Sequence, residues 1–134
     1  MKTFDLQGVE IKGNFRSVFD YIANPENLPH WAHAFKSVTG DRAVLQTPQG
    51  STEIRLRTAR SEAEGTVDWI LEFPGGEVGR AFSRVLRHKP GAVLYTFTLL
   101  APPVPLEMIE GALAQQSRTL GEELIRLRQI LENR

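Results

Sequence analysis

Histidine is the residue type that most readily suggests chemistry in this chain of 134 residues. His30 and His33 are three residues apart, so one helical turn would place both imidazoles on the same side, whereas His88 belongs to a distant hairpin. A zinc site needs further ligands, so we expect neither a metal nor a cofactor. A histidine at the rim of a pocket can exchange protons near neutral pH, and His33 is the candidate for that position.

Arg84 is the second residue of chemical interest. It alternates with Phe82 and Leu86 on one face of a predicted strand, while Ser83 and Val85 occupy the other face. If Arg84 faces inward, it is a buried cation that needs an acidic partner or an anionic ligand. If Ser83 and Val85 face inward, Arg84 is solvated. The alternation is compatible with both arrangements.

The composition limits the classes of function. Lys plus Arg and Asp plus Glu number 16 each, so no excess of charge attracts the chain to nucleic acid or acidic lipid. Cysteine is absent, which excludes disulfides and thiolate catalysis. The sequence has neither a signal-peptide pattern nor an apolar run of membrane-spanning length. We expect a cytoplasmic protein whose residues 1–134 form one domain, with no nucleic acid or membrane as partner.

The N-terminal residues are typical of a strand with an irregularity. Phe4 and Leu6 share one face, whereas Val9 and Ile11 share the other. This change of phase at Gly8 predicts a bulge or a bend.

A helix is expected after this strand, because Asn14 is a suitable N-cap. Its apolar residues follow at helical spacing: Phe15, Val18, Phe19 and Ile22. Asn24-Pro25 ends the helix and can begin a second short helix towards Trp31.

The middle of the chain is typical of an antiparallel meander. Its half-buried runs alternate apolar and polar residues and are separated by Gly and Pro turn signals. The predicted strands are Phe35–Thr39, Ala43–Thr47, Thr52–Arg60, Thr66–Phe73, Gly79–Arg87 and Val93–Leu100.

A long helix is expected from Pro105 to about Leu131. Its apolar stripe comprises Leu106, Ile109, Leu113, Leu120, Leu124, Leu127 and Leu131. Where the next member of the stripe should fall, the sequence has Gln116 and Ser117. A helix packed wholly on a sheet would have bulky residues there, so this gap predicts a pocket of about 300–1,000 Å³ under the helix.

The segment Val18–Trp31 resembles the N-terminal signature of the START-domain/SRPBCC superfamily, and more narrowly that of its polyketide cyclase/dehydratase-like group. Val93–Leu99 and Glu122–Leu127 also resemble that group, so the likeness covers nearly the whole chain. The resemblance implies an α+β helix-grip fold, in which a curved antiparallel sheet of about seven strands wraps around a long C-terminal helix and encloses a cavity. Members include lipid carriers, hormone receptors, cyclases and co-chaperones, so the fold alone does not select a reaction.

The residues expected to line this cavity are mostly aromatic or apolar, with a few polar groups. They are Trp31, His33, Phe35, Leu56, Trp69, Arg84, Tyr95, Phe97, Leu113, Gln116 and Ser117. The sequence assigns no catalytic residue.

Three functions are compatible with this pattern. The favoured one is binding of a small hydrophobic molecule, aromatic or polyketide-like. The second is a cyclase or dehydratase that uses His33, Tyr95 or Arg84 as polar groups. The third is a protein-interaction module or homodimer whose cavity is vestigial.

Overall fold

The architecture is a single antiparallel sheet followed by one long helix. The computed structural model describes residues 3–47, 50–100 and 106–134, and omits the side chains of residues 47 and 106–113. The strands are β1 (Phe4–Lys12), β2 (Phe35–Thr39), β3 (Arg42–Thr47), β4 (Gly50–Ser61), β5 (Thr66–Glu72), β6 (Val78–Lys89) and β7 (Ala92–Leu100). The helices are α1 (Phe15–Ala23), α2 (Leu28–Trp31), which follows a 3₁₀ turn at Pro25–Asn27, and α3 (Leu106–Glu132).

The sheet order is β1-β7-β6-β5-β4-β3-β2, so each strand from β2 to β7 pairs with its neighbour in the sequence. Only β1 departs from this rule, because it pairs with β7. The order of elements and the sheet confirm the predicted α+β helix-grip architecture. The sequence-predicted strands agree with the observed ones to within two residues at each end. The predicted start of α3 at Pro105 lies outside the described residues.

The first helix forms for the predicted reasons. The Asn14 side chain accepts a hydrogen bond from the Ser17 backbone N–H, which satisfies one of the free amides at the start of α1. Phe15, Val18, Phe19 and Ile22 are all buried on one face, where they join the core under the sheet.

Strand β1 contains no bulge, so the bulge predicted as one of the two alternatives at Gly8 is wrong. Its pairing with β7 is continuous from Phe4, opposite Leu100, to Lys12, opposite Ala92. The change of phase has another cause: Phe4 and Leu6 lie exposed on the outer face, while the inner face carries Asp5 and Gln7. Polar residues thus take inner-face positions that an ordinary half-buried strand gives to apolar ones.

The C-terminal half of α3 packs on the inner face of the sheet. Leu120, Leu124, Leu127 and Leu131 are buried, which confirms this part of the predicted stripe. The side chains of Leu106, Ile109 and Leu113 lie outside the described part of the helix. None of the described helices is long and apolar enough to span a membrane.

We expect Leu124→Ala to lower the free energy of unfolding by about 2–5 kcal/mol, because the truncation leaves a cavity in the core. Ile125→Ala is the matched control, since Ile125 is 47% exposed and Leu124 only 2%. Its effect should stay within about 0.5 kcal/mol. Urea denaturation of both variants measures the difference, and equal losses would contradict the assignment of the buried stripe.

Candidate functional site

A cavity of about 160 Å³ lies where α2, the inner face of the sheet and α3 meet. Four aromatic residues contribute to its wall, namely Trp31, Phe35, Trp69 and Phe97. The other lining residues are Leu28, Ala32, Ala34, Leu71, Ala81 and Glu123. Apart from one carboxylate, the described wall is therefore apolar.

Strand register brings the sheet residues of this wall together. Trp69 of β5 is paired with Ala81 of β6, and Phe97 of β7 is paired with the next inner residue of β6, Ser83. Because side chains alternate between faces, Trp69, Ala81 and Phe97 all lie on the inner face. A small residue between two large aromatic ones leaves the space that becomes the cavity.

The aromatic residues form one connected cluster. Trp31 lies 6.2 Å from Trp69 and 6.3 Å from Tyr95, centroid to centroid, with an edge-to-face arrangement against Tyr95. Trp69 in turn stacks on Phe97 at 6.1 Å. These spacings are within the range in which aromatic pairs stabilise each other beyond simple burial. The wall is thus held in position by ring packing.

Three polar atoms in this cluster are buried without a hydrogen-bond partner among the described residues: Nε1 of Trp31, Nε1 of Trp69 and the hydroxyl oxygen of Tyr95. Burial raises the pKa of Tyr95 far above its ordinary value, and the nearby Ser83 hydroxyl opposes this shift. Ser83 donates its own proton to the Val67 carbonyl at 2.5 Å, and its contact with Tyr95 falls short of hydrogen-bond geometry. Tyr95 is therefore a neutral phenol behind Trp31.

Glu123 is the polar cavity residue that the sequence prediction missed, along with the apolar lining residues Leu28, Ala32, Ala34, Leu71 and Ala81. Oε2 of Glu123 accepts a hydrogen bond from the His33 backbone N–H at 2.5 Å. Burial raises the pKa of Glu123, and the bond from His33 partly opposes the shift. The available signal was its spacing: Glu123 lies three residues after Leu120 and four before Leu127, at the edge of the buried stripe.

The structure places some of the predicted site residues in the cavity wall and others elsewhere. Trp31, Phe35, Trp69 and Phe97 line the cavity, and Tyr95 contacts Trp31 from behind. Leu56 belongs to the core but does not line this cavity, and the His33 side chain is exposed while its backbone binds Glu123. The side chain of Leu113 lies outside the described residues.

Arg84 lies on the outer face, so the inward arrangement is wrong. Its side chain is exposed and its Nε donates to the Glu64 carbonyl at 3.0 Å, whereas Ser83 and Val85 are buried. Arg84 lines an open surface groove of about 430 Å³ beside the β4–β5 turn. That groove is larger than the inner cavity, but it is open to solvent and separate from the aromatic cluster.

Ser117, which interrupts the apolar stripe of α3, forms hydrogen bonds with residues of β1. Ser117 donates to an Asp5 carboxylate oxygen at 2.5 Å. The Gln7 side-chain amide donates to the Ser117 carbonyl at 2.8 Å and to the same Asp5 oxygen at 2.7 Å. Gln116 is exposed. Neither Gln116 nor Ser117 lines the 160 Å³ cavity, which is also smaller than the sequence predicted.

We expect Ser117→Ala to lower the free energy of unfolding by about 1–3 kcal/mol, because it removes a hydroxyl donor from a buried carboxylate. Gln116→Ala is the adjacent control, and its effect should stay within about 0.5 kcal/mol because Gln116 is exposed. Thermal or urea unfolding gives both values. A larger loss for Gln116→Ala than for Ser117→Ala would show that Gln116, and not Ser117, makes the buried contact.

Relative to the wild type, we expect Glu123→Gln to be more stable at pH 7 than at pH 4. A pKa raised by folding means that the folded chain binds this proton more tightly than the unfolded chain. The contribution of Glu123 to the free energy of unfolding therefore falls as the pH rises above 4.5, its ordinary pKa. The glutamine variant lacks this fall, so the difference between the two proteins should grow from pH 4 to pH 7 in urea denaturation. A difference that does not change with pH would contradict a raised pKa of Glu123 in the folded chain.

The fold has many relatives among solved structures, whereas neither a protein-family model nor a curated protein matches the sequence. The protein XoxI from Bacillus cereus is 17% identical, with a TM-score of 0.71, over 97% of this chain and 96% of that one. A START superfamily protein from Mycobacterium smegmatis is 12% identical, with a TM-score of 0.64, over 96% and 99%.

The ZhuI aromatase/cyclase from Streptomyces sp. R1128 is 12% identical, with a TM-score of 0.73, over 98% of this chain and 94% of that one. Identities this low establish the fold without its chemistry. The chain shares its helix-grip fold with this START superfamily protein and this aromatase/cyclase.

Proposed function

We propose that this protein binds a small hydrophobic molecule in the cavity between α2, the sheet and α3. The observation that carries the proposal is the concave apolar wall made by Trp31, Phe35, Trp69 and Phe97. Ligand sites in proteins are typically clefts of this kind, with mostly apolar walls and a few placed polar groups. Glu123 is the polar group here.

The size of the cavity limits its occupant. An apolar protein cavity of about 150 Å³ accommodates benzene. The space of about 160 Å³ is therefore suited to one aromatic ring rather than to a polycyclic molecule. If each of about eight non-hydrogen atoms contributes about 0.5–0.7 kcal/mol, well below the ceiling for small ligands, simple probes should bind with dissociation constants of about 0.1–1 mM.

Tryptophan fluorescence measures this binding directly, because the two tryptophans of the chain, Trp31 and Trp69, both line the cavity. Titration with toluene, naphthalene and anthraquinone should give saturable quenching for the single-ring probe. Trp31 is 2% exposed and belongs to the core, so truncating it would disturb folding as well as binding.

Filling the cavity is the better test of location. Ala81→Leu should abolish saturable quenching, because the larger side chain takes up much of the space beside Trp69. Ala59→Leu, on an exposed position of β4, is the control and should bind like the wild type. The absence of saturable quenching by any probe in the wild type would reject the proposal, as would equal binding by the two variants.

An enzymatic role is the second candidate, and Glu123 is the observation that favours it. A carboxyl group whose pKa is raised by burial in a ligand cavity has the property required of a general acid or base. Catalysis would appear as a slow absorbance change of a bound probe that is lost in Glu123→Gln. Binding without such a change supports a carrier.

A further inference from the structure

The described wall of the cavity carries one charged group, a carboxylate. Glu123 is the one ionisable side chain in the described wall. The segment from residue 101 to residue 113, whose side chains are outside the described part, contains no Lys, Arg or His and therefore adds no basic group. An anionic ligand would meet a carboxylate and find no cation in the described wall to pair with it.

Glu123 also has capacity left for a ligand. Its Oε2 is bound by the His33 backbone N–H, while Oε1 accepts no hydrogen bond from the part of the chain that the structure describes. The basic residue one helical turn further along, Arg126, uses its Nε to donate to the His30 carbonyl. No ion pair among the described residues involves Glu123, although the charge of the exposed His33 side chain nearby lowers the pKa of Glu123 and partly opposes the effect of burial.

The aromatic wall presents ring carbon to the cavity. The indole nitrogens of Trp31 and Trp69 and the hydroxyl of Tyr95 are closed off from accessible space, although both indoles line the cavity. Their unpartnered donors are therefore not available to an anion in this conformation. The electron-rich faces of aromatic rings attract cations, most strongly where water is excluded.

We propose that the cavity selects an organic ammonium cation no larger than one aromatic ring, with Glu123 as the counter-charge and the aromatic residues as the surrounding wall. The proposal rests on the proposed function and specifies its ligand class. A neutral hydrogen-bond donor could bind Glu123, but it would lack both the ionic attraction and the attraction to the rings. A carboxylate would be repelled.

Three probes of nearly equal shape separate these cases: benzylammonium, benzyl alcohol and benzoate. We expect benzylammonium to bind at least about tenfold more tightly than benzyl alcohol at pH 7, and benzoate to bind most weakly. Quenching of tryptophan fluorescence, with isothermal titration calorimetry as the second measurement, gives the three dissociation constants.

The Glu123→Gln variant tests the counter-charge. It should reduce the preference for benzylammonium over benzyl alcohol to about threefold or less, the part left to the aromatic wall. The control is Glu122→Gln, which removes an exposed carboxylate one residue away and should keep the full preference. A preference that survives Glu123→Gln, or is lost equally in both variants, would overturn the assignment.

The probes also separate the failure of this inference from failure of the proposed function. If toluene and benzyl alcohol bind saturably while benzylammonium has no advantage, the ammonium proposal is wrong and hydrophobic binding stands. If no probe binds saturably, the proposed function fails, and the ligand class fails with it.

Discussion

The hydrogen-bonded contact between β1 and α3 is the constraint on which the rest of the structure depends. Asp5 and Gln7 replace apolar residues on the inner face of β1, and Ser117 meets them from the helix. Hydrogen bonds are directional, whereas apolar contacts tolerate sliding, so this contact sets how far α3 lies along the sheet. Glu123 follows Ser117 by six residues, about 9 Å along the helix axis, and thereby reaches the cavity.

A second set of contacts connects the same helix to α2. Glu123 accepts from the His33 backbone, and Arg126 donates to the His30 carbonyl. These bonds flank Trp31, whose ring then packs against Trp69 and Tyr95. The cavity wall is thus positioned by hydrogen bonds to the backbone of α2 on one side and by strand register on the other. The unpartnered polar atoms of the aromatic cluster cost free energy of folding, and the ring packing offsets this cost.

Local patterns were sufficient to predict the strands, the Asn14 cap and the burial of Leu124. Two anomalies could not be interpreted locally. The change of phase at Gly8 and the polar gap at Ser117 share one cause, which is the hydrogen-bonded contact between β1 and α3. Gln7 and Ser117 are 110 positions apart, so alternation within one strand cannot reveal that they meet. Arg84 was ambiguous because both faces of β6 carry apolar residues. Glu123 was missed because a carboxylate beside an apolar stripe is normally solvated.

The position of β1 also has a consequence for the order in which the chain can fold during synthesis. Strands β2 to β7 pair with their sequence neighbours, so each hairpin can form as soon as its second strand is made. Strand β1 is synthesised before all of them, yet its partners are the last strand and the helix after it. Contacts of such long sequence separation form slowly because the intervening chain must first be ordered. The first strand to be translated is therefore the last to be incorporated into the sheet.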